Sequence, residues 1–480
     1  MKQICYPSDS LILFTPLPYP SNLLPTMRNR TILFMAIVAV LFSLRIAETQ
    51  AAERPNLIFL LTDDQRWDAL GCMGNPVIKT PNIDKLAEEG VTFDNAFATT
   101  AICATSRASF LTGQYARRHG VVDFRTVLTP EAFQQTFPAL LRAAGYRTAF
   151  IGKWGVGNNL PADQYDYWKG FAGQGQYFVD GQPHMTQRLE NQTLEFLDTC
   201  QADQPFCLQV SFKAAHCQDG PGWQFRHAPK YTEYYAEDKI TPAETVSEEA
   251  YAKLPKQLQG GESRVRWERR FDGDEMLQKN VKDYYRLLTG VDDFVGAMVG
   301  KLNEKKLADN TVIIYTSDHG FFLGEHGLSG KWLMYEPSIR IPMIVYDPRL
   351  PKSLRGRHLD EMVLNIDVAP TLLDFAGVKI PAVMQGQSLK PLVEDIQSEP
   401  WRTEFLYEHL FPHATIPQSE GVRSEDWKYV DYEKTEPKLE QLFDLKNDPH
   451  ETTNLAGDPK YADKLNEFRE KLARMRTELQ

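Results

Sequence analysis

Cysteine is scarce, basic charge is in deficit, and long apolar runs are nearly absent from this 480-residue chain. The six cysteines show no metal-cluster spacing, which excludes a structural zinc site built on paired thiols. Lysine and arginine number 53 against 64 acidic residues, for a net charge of -11, and no basic run exceeds a few residues. A protein that wraps nucleic acid carries a basic face, so that class is excluded, and an anionic ligand here must be met by a local pocket of cations or a metal. Internal repeats, low-complexity tracts and Walker-type phosphate loops are also missing. A content of 42% hydrophobic and 24% charged residues is ordinary for a globular chain and excludes a disordered or fibrous one.

The one long apolar run is TILFMAIVAVLFSL, residues 31–44. It falls short of the roughly 20 residues that span a bilayer, so no stable membrane anchor is expected. Arg28 and Arg30 precede it, and Ala47, Ala51 and Ala52 follow. That is the layout of a signal peptide, with Met27 as the expected start and residues 1–26 as an upstream extension. A periplasmic or secreted location follows. Export permits disulfides, and Cys200 and Cys207 are close enough for a local bridge, although both also suit the core as small residues.

Four short apolar runs, 56–62, 205–212, 311–317 and 341–346, read as strands buried on both faces. Helical patterns lie between them at 81–89, 138–144 and 276–306, with proline at the start or glycine past the end as punctuation. This alternation predicts an α/β fold. Residues 218–275 are polar, aromatic and aperiodic, and read as a surface excursion walling a cleft. Residues 401–480 hold short alternating strands, such as 422–430, and a charged helix near 461–477. The expected domains are therefore an upstream extension and signal peptide (1–52), a catalytic body (53–395) and a smaller α+β subdomain (396–480).

Polar residues cluster just after three of the apolar runs, at the edge where open α/β sheets bind ligands. Asp63-Asp64 follows the first run and Asp318-His319 the third. Alone, each pair suits a cap or a solvated turn. Together they form a hard-oxygen set for a divalent cation such as calcium or magnesium. Cys103 opens a helical stretch, CATSRASFLTG, with Arg107 one turn on. A thiol at a helix amino terminus beside a cation is a candidate reactive group.

The pieces PNLIFLLTDDQ, TPNIDKLAEEGVTFDNAF, CATSRASFLTG, FIGKWG, TSDHGFFLGEHGLSGKWLMYE and VLNIDVAPTLLDFAG resemble, in this order, the type I sulfatases of the alkaline phosphatase superfamily. The likeness extends from about Arg54 to the carboxyl end and includes iduronate-2-sulfatase and bacterial glycan sulfatases. It implies a large mixed, mostly parallel sheet sandwiched by helices. It further implies that Cys103 is oxidised to formylglycine by an installing enzyme, and that the hydrate of this aldehyde attacks sulfur and later releases sulfate. By the same resemblance Asp63, Asp64, Asp318 and His319, with residue 103, match the ligands of one calcium ion. Arg107 matches the cation that steadies the hydrate, Lys153 and Lys331 match lysines holding sulfate oxygens, and His216 matches the proton donor to the leaving oxygen.

Two positions depart from the pattern. Thr105 stands where the signature has proline or alanine, and Gly155 stands where a histidine helps to shed sulfate. His119 and His326 are the alternatives for that second role. The expected activity is hydrolysis of a carbohydrate O-sulfate. The competing readings are a phosphonate or phosphate ester hydrolase on the same scaffold and a sulfoglycan-binding pseudoenzyme. His409, His413, Arg423 and Trp427 are candidates for contacting the sugar.

Overall fold

Asn56–Thr62 (β1) is buried at every residue because it runs through the interior of an eight-stranded sheet covered on both faces. The computed structural model describes residues 15–16, 54–220 and 222–480. The expected extension and signal peptide, apart from Thr15 and Pro16, lie outside the described residues. The other strands of the large sheet are Val91–Phe93 (β2), Arg147–Lys153 (β3), Tyr167–Phe171 (β4), Phe206–Ser211 (β5), Thr311–Ser317 (β6), Met343–Tyr346 (β7) and Arg357–Leu359 (β8). Their spatial order is β8-β2-β7-β6-β1-β5-β3-β4. Every neighbouring pair is parallel except those made by β7, which runs antiparallel to β2 and β6.

The period-two alternation of β1 divides the core into two layers. Ile58 and Leu60 face one layer with Ile83 and Leu86 of Pro81–Glu88 (α1), Leu189 and Phe196 of Met185–Asp198 (α3), and Leu288 and Phe294 of Asp274–Glu304 (α4). Leu57, Phe59 and Leu61 face the other with Ala108 and Phe110 of Cys103–Thr112 (α2) and Leu372 of Val368–Phe375 (α5). Each such leucine or phenylalanine contributes about 2 kcal/mol on burial, so helices on both sides fix the sheet.

A second, antiparallel sheet follows the chain order Glu404–His409 (β9), Ser419–Ser424 (β10), Trp427–Tyr432 (β11), Leu439–Asp444 (β12). The helix Ala462–Glu478 (α6) covers it through Leu465, Phe468 and Leu472. The expected single strand at 422–430 is thus two strands, because the polar Glu425-Asp426 pair makes the hairpin turn between Ser424 and Trp427. The 218–275 excursion also holds more order than its aperiodic sequence suggests, with helices at Glu248–Lys253 and Glu262–Arg270. Cys200 and Cys207 are both free thiols: Cys200 donates to the Phe196 carbonyl, and Cys207 is fully buried in β5. Among the described residues, no helix is long and apolar enough to cross a membrane.

Candidate active site

Parallel pairing brings the carboxyl ends of distant strands to one edge. In β1 and β6 the register sets Thr62 beside Ser317, and in β1 and β5 it sets Leu61 beside Ser211. Asp63 and Asp64 therefore leave the sheet next to Asp318 and His319. Backbone bonds hold the exits, with Asp318 N–H donating to the Thr62 carbonyl at 3.0 Å and Asp63 N–H to the Ala214 carbonyl at 2.9 Å. Asp64 takes a left-handed conformation at φ +60°, a form of strain that clusters at functional sites.

The α2 helix lies across this edge with all ten residues buried. Ser106 Oγ donates to the Asp318 carbonyl at 2.5 Å and accepts from Asn365 Nδ2 at 3.0 Å, which ties the helix to the site and to the late VLNIDVAP segment. Cys103 is the first residue of this helix. Its Sγ lies 3.3 Å from His319 Nε2, 3.4 Å from Lys331 Nζ and 3.5 Å from Asp63 Oδ1. One turn on, Arg107 bridges the two acidic segments, with Nη2 3.0 Å from Asp63 Oδ2 and Nε 3.0 Å from Asp318 Oδ2. Lys331 Nζ lies 2.6 Å from Asp64 Oδ1, and Lys153, at the end of β3, pairs with Asp63. His216 donates from Nδ1 to the Cys217 carbonyl, which leaves Nε2 facing Asp64 Oδ2 at 3.6 Å. All nine expected site residues thus meet in one place, and all are buried.

Two overlapping sets have ligand atoms within 4.8 Å of one another: Asp63, Asp64, Cys103 and His216, and Asp63, Cys103, Asp318 and His319. Asp64 Oδ2 is buried with no hydrogen-bond partner. An orphaned carboxylate oxygen amid three buried aspartates is costly unless a cation meets it, so the donor set fits a metal ion. Burial opposes ionisation of Asp63, yet Lys153, His216, Arg107 and Lys331 outweigh it and hold its carboxyl well below the usual range. Burial dominates at Asp64 and raises it, with Lys331 and His319 opposing and the Asp63 and Asp318 charges adding. Burial also presses His319 down, but Asp318 and Cys103 lift it to about 9. Burial and Lys331 push His216 well below the ordinary histidine value.

The two alternative histidines are engaged elsewhere. His119 accepts from Val121 N–H and pairs with Ser109 Oγ at 3.0 Å, while His326 packs on Tyr335. Thr105 is buried with an unpartnered hydroxyl. Of the sugar-contact candidates, Arg423 pairs with Glu336 and Trp427 packs on Tyr461, whereas His413 is exposed and stacks on Phe411. Sequence reasoning missed Gln174, which accepts from Lys153 Nζ at 2.6 Å, and Lys213, a buried ammonium whose hydrogen bond is to the Cys217 carbonyl at 3.4 Å. Lys213 stands three residues before His216 in SFKAAH, the one signal that offered it.

A doubly covered, mostly parallel sheet with this polar edge and an added small sheet defines an alkaline phosphatase-like hydrolase. A family profile described as Sulfatase matches residues 55–378, and one described as N-sulphoglucosamine sulphohydrolase, C-terminal, matches residues 324–478. An N-acetylglucosamine-6-O-sulfatase of Bacteroides thetaiotaomicron is 31% identical over 92% of this chain and 89% of its own length. A solved structure in complex with its substrate D-glucosamine-2-N,6-O-disulfate is 28% identical, with a TM-score of 0.79, and covers 89% of this chain and 98% of that one. The phosphonate monoester hydrolase of Agrobacterium radiobacter, at 24% identity and a TM-score of 0.75 over 89% of this chain and 96% of its own, shares the fold. The chain belongs to the sulfatase family, and the protein is a sulfatase.

Proposed function

We propose that the enzyme releases inorganic sulfate from an O-sulfated carbohydrate, with Cys103 converted to formylglycine and one calcium ion held by Asp63, Asp64, Asp318, His319 and residue 103. The observation that carries this reading is the gathering of both acidic segments on the first turn of α2, where Cys103 and Arg107 share a face. The carbohydrate class is supported by the glucosamine-type relatives.

When present, the calcium neutralises the carboxylates and draws charge from the sulfate, and the formylglycine hydrate supplies a nucleophilic hydroxyl together with a second one for release. The chain's own residues do the rest. Arg107, fixed between Asp63 and Asp318, orients residue 103. Lys153 and Lys331 present ammonium groups to the sulfate oxygens, a preorganised positive field aimed at the charge that builds in the transition state. His216, oriented by its Nδ1 bond, holds a proton at Nε2 for the departing sugar oxygen. Burial and the three lysines depress its affinity for that proton in the free site, and a bound anionic ester offsets them. Such a donor typically adds about 10²–10⁴-fold.

Residues 53–395 form the catalytic body in this reading, and residues 396–480 a subdomain that helps wall the cleft. A formylglycine-installing enzyme is the maturation partner, and the product is exported to the periplasm or beyond. The test is sulfate release from a panel of sulfated mono- and oligosaccharides, run beside a phosphate ester and joined to the mass of the Cys103 peptide. The expected result is sulfate release and a peptide lighter by about 18 Da. Faster cleavage of the phosphate ester would favour the phosphoesterase reading. An intact thiol with sugar bound and uncleaved would favour the pseudoenzyme.

A further inference from the structure

Asp219 lies three residues past His216, at the start of the 218–275 excursion, and its side chain is 53% exposed. It is nevertheless held firmly. Arg270 Nη2 contacts its Oδ1 at 2.6 Å, Arg266 Nη1 contacts the same atom at 3.4 Å, and Cys217 Sγ reaches it at 3.7 Å. All three contacts fall on Oδ1, so Oδ2 has no hydrogen-bond partner among the described residues.

The arginines are themselves anchored beside Lys331. Arg270 is 1% exposed and reaches Ser329 Oγ and Gln224 Oε1, each at 3.3 Å. Arg266 lies over the Trp332 ring at 5.0 Å and also pairs with Glu262. Asp219 is therefore clamped between the segment carrying His216 and the segment carrying Lys331, both of which face Asp64. On the roles proposed above for His216 and Lys331, the alcohol portion of an ester bound at residue 103 leaves on this side.

Resting on the sulfatase reading above, we propose that Asp219 is the substrate-positioning carboxylate of the sugar subsite, its free Oδ2 accepting from the sugar hydroxyl nearest the sulfate ester, which is the 4-hydroxyl of a 6-sulfated hexosamine. An ionised carboxylate only accepts, so it selects a donor, and it repels a second sulfate at that position. Neither arginine is uncommitted, since both already pair with Asp219 and Arg266 also pairs with Glu262. The subsite therefore suits a neutral hydroxyl-bearing neighbour rather than another anion. Burial opposes the charge on Asp219, but Arg266 and Arg270 hold its acidity below the ordinary carboxylate value, so it stays ionised at neutral pH.

The experiment compares Asp219→Asn and Asp219→Glu with the native enzyme on N-acetylglucosamine 6-sulfate and on 4-nitrophenyl sulfate, which carries no hydroxyl. The ratio of kcat/KM for the sugar to that for the aryl ester is expected to fall about 10–100-fold in Asp219→Asn. A parallel loss on both esters would mean that Asp219 only braces the arginines, and would overturn the proposal, as would an unchanged ratio. If the variants do not fold, the native enzyme with the 4-deoxy sugar sulfate decides the question, because an undiminished kcat/KM contradicts the proposed bond. Failure of the native enzyme on every sulfate ester is a different result, which removes the sulfatase reading and this proposal with it.

Discussion

Gly155 and Arg107 occupy the same space: a Cβ built on Gly155 would lie 2.5 Å from Arg107 Cδ and 3.2 Å from its Nε, on backbone at φ +77°. The histidine that the family resemblance would put at position 155 is thus excluded while Arg107 reaches Asp63 and Asp318. Gly155→His is expected to lower turnover at least about tenfold rather than improve it, because the guanidinium must move off both carboxylates. Left-handed strain adds about 1–3 kcal/mol of destabilisation. Kinetics on an aryl sulfate, paired with a thermal melt, check both statements, and a gain in kcat would show that the missing histidine limits the enzyme.

Arg107 is 2% exposed and meets two fully buried carboxylates with two different nitrogens. A lysine offers one compact ammonium and cannot span them. Arg107→Lys is therefore expected to lose nearly all activity. Arg107→Ala leaves buried charge uncompensated and should cost about 3–5 kcal/mol, read as a shift of the urea midpoint. Equal stability of Arg107→Ala and the native protein would mean that the cluster is neutralised by other means.

The orphaned Asp64 Oδ2 and the three aspartates predict ion-dependent stability. Dialysis against a chelator should lower Tm and activity together, and calcium should restore both. An ion at about a hundredfold excess over its Kd contributes about 2.7 kcal/mol, which amounts to a few degrees for a chain of this size. In Asp64→Asn the same titration should leave Tm unmoved. A melt indifferent to chelator in the native protein would count against a resident ion.

Much of this site was legible because its chemistry sits at strand ends that sequence marks well. TVIIYTS is apolar to its last turn, and the strand runs from Thr311 to Ser317 with Asp318 directly after. The nine site residues also lie in compact motifs. Asp219 and Gln174 lie in polar stretches without periodicity, and their meaning depends on partners far along the chain, whereas Lys213 sits at the end of an apolar strand run where its proximity to His216 was the only signal. The Asp219–Arg270 bond spans 51 positions and the Lys153–Gln174 bond 21. The 218–275 helices were hidden for a related reason. The Glu262–Arg270 segment, ESRVRWERR, is mostly charged and gains its place from Trp267 packing in the core and from Arg270 bonding beneath it. Of the two readings open for Cys200 and Cys207, the core one holds, because a helix end and a sheet interior part the two buried thiols.

Four histidines, three buried and His119 half-buried, predict an acid-labile fold. His409 is fully buried with neither ring nitrogen bonded, and burial, with His413 adding, pushes it down to about 3. Burial likewise lowers His119 to about 3, and His184 and His326 to about 4. A folded-state value below the ordinary 6.5 or so means that the unfolded chain binds the proton more readily. The stability tied to each residue is therefore full above about pH 6.5 and is lost as pH falls toward 4. His409→Leu removes one such group and its two orphaned nitrogens. Relative to the native protein, its urea stability should improve by about 2 kcal/mol more at pH 5 than at pH 7.5. If the two proteins keep a constant difference across that range, His409 does not resist protonation in the fold, and the acid slope must be assigned to the other three.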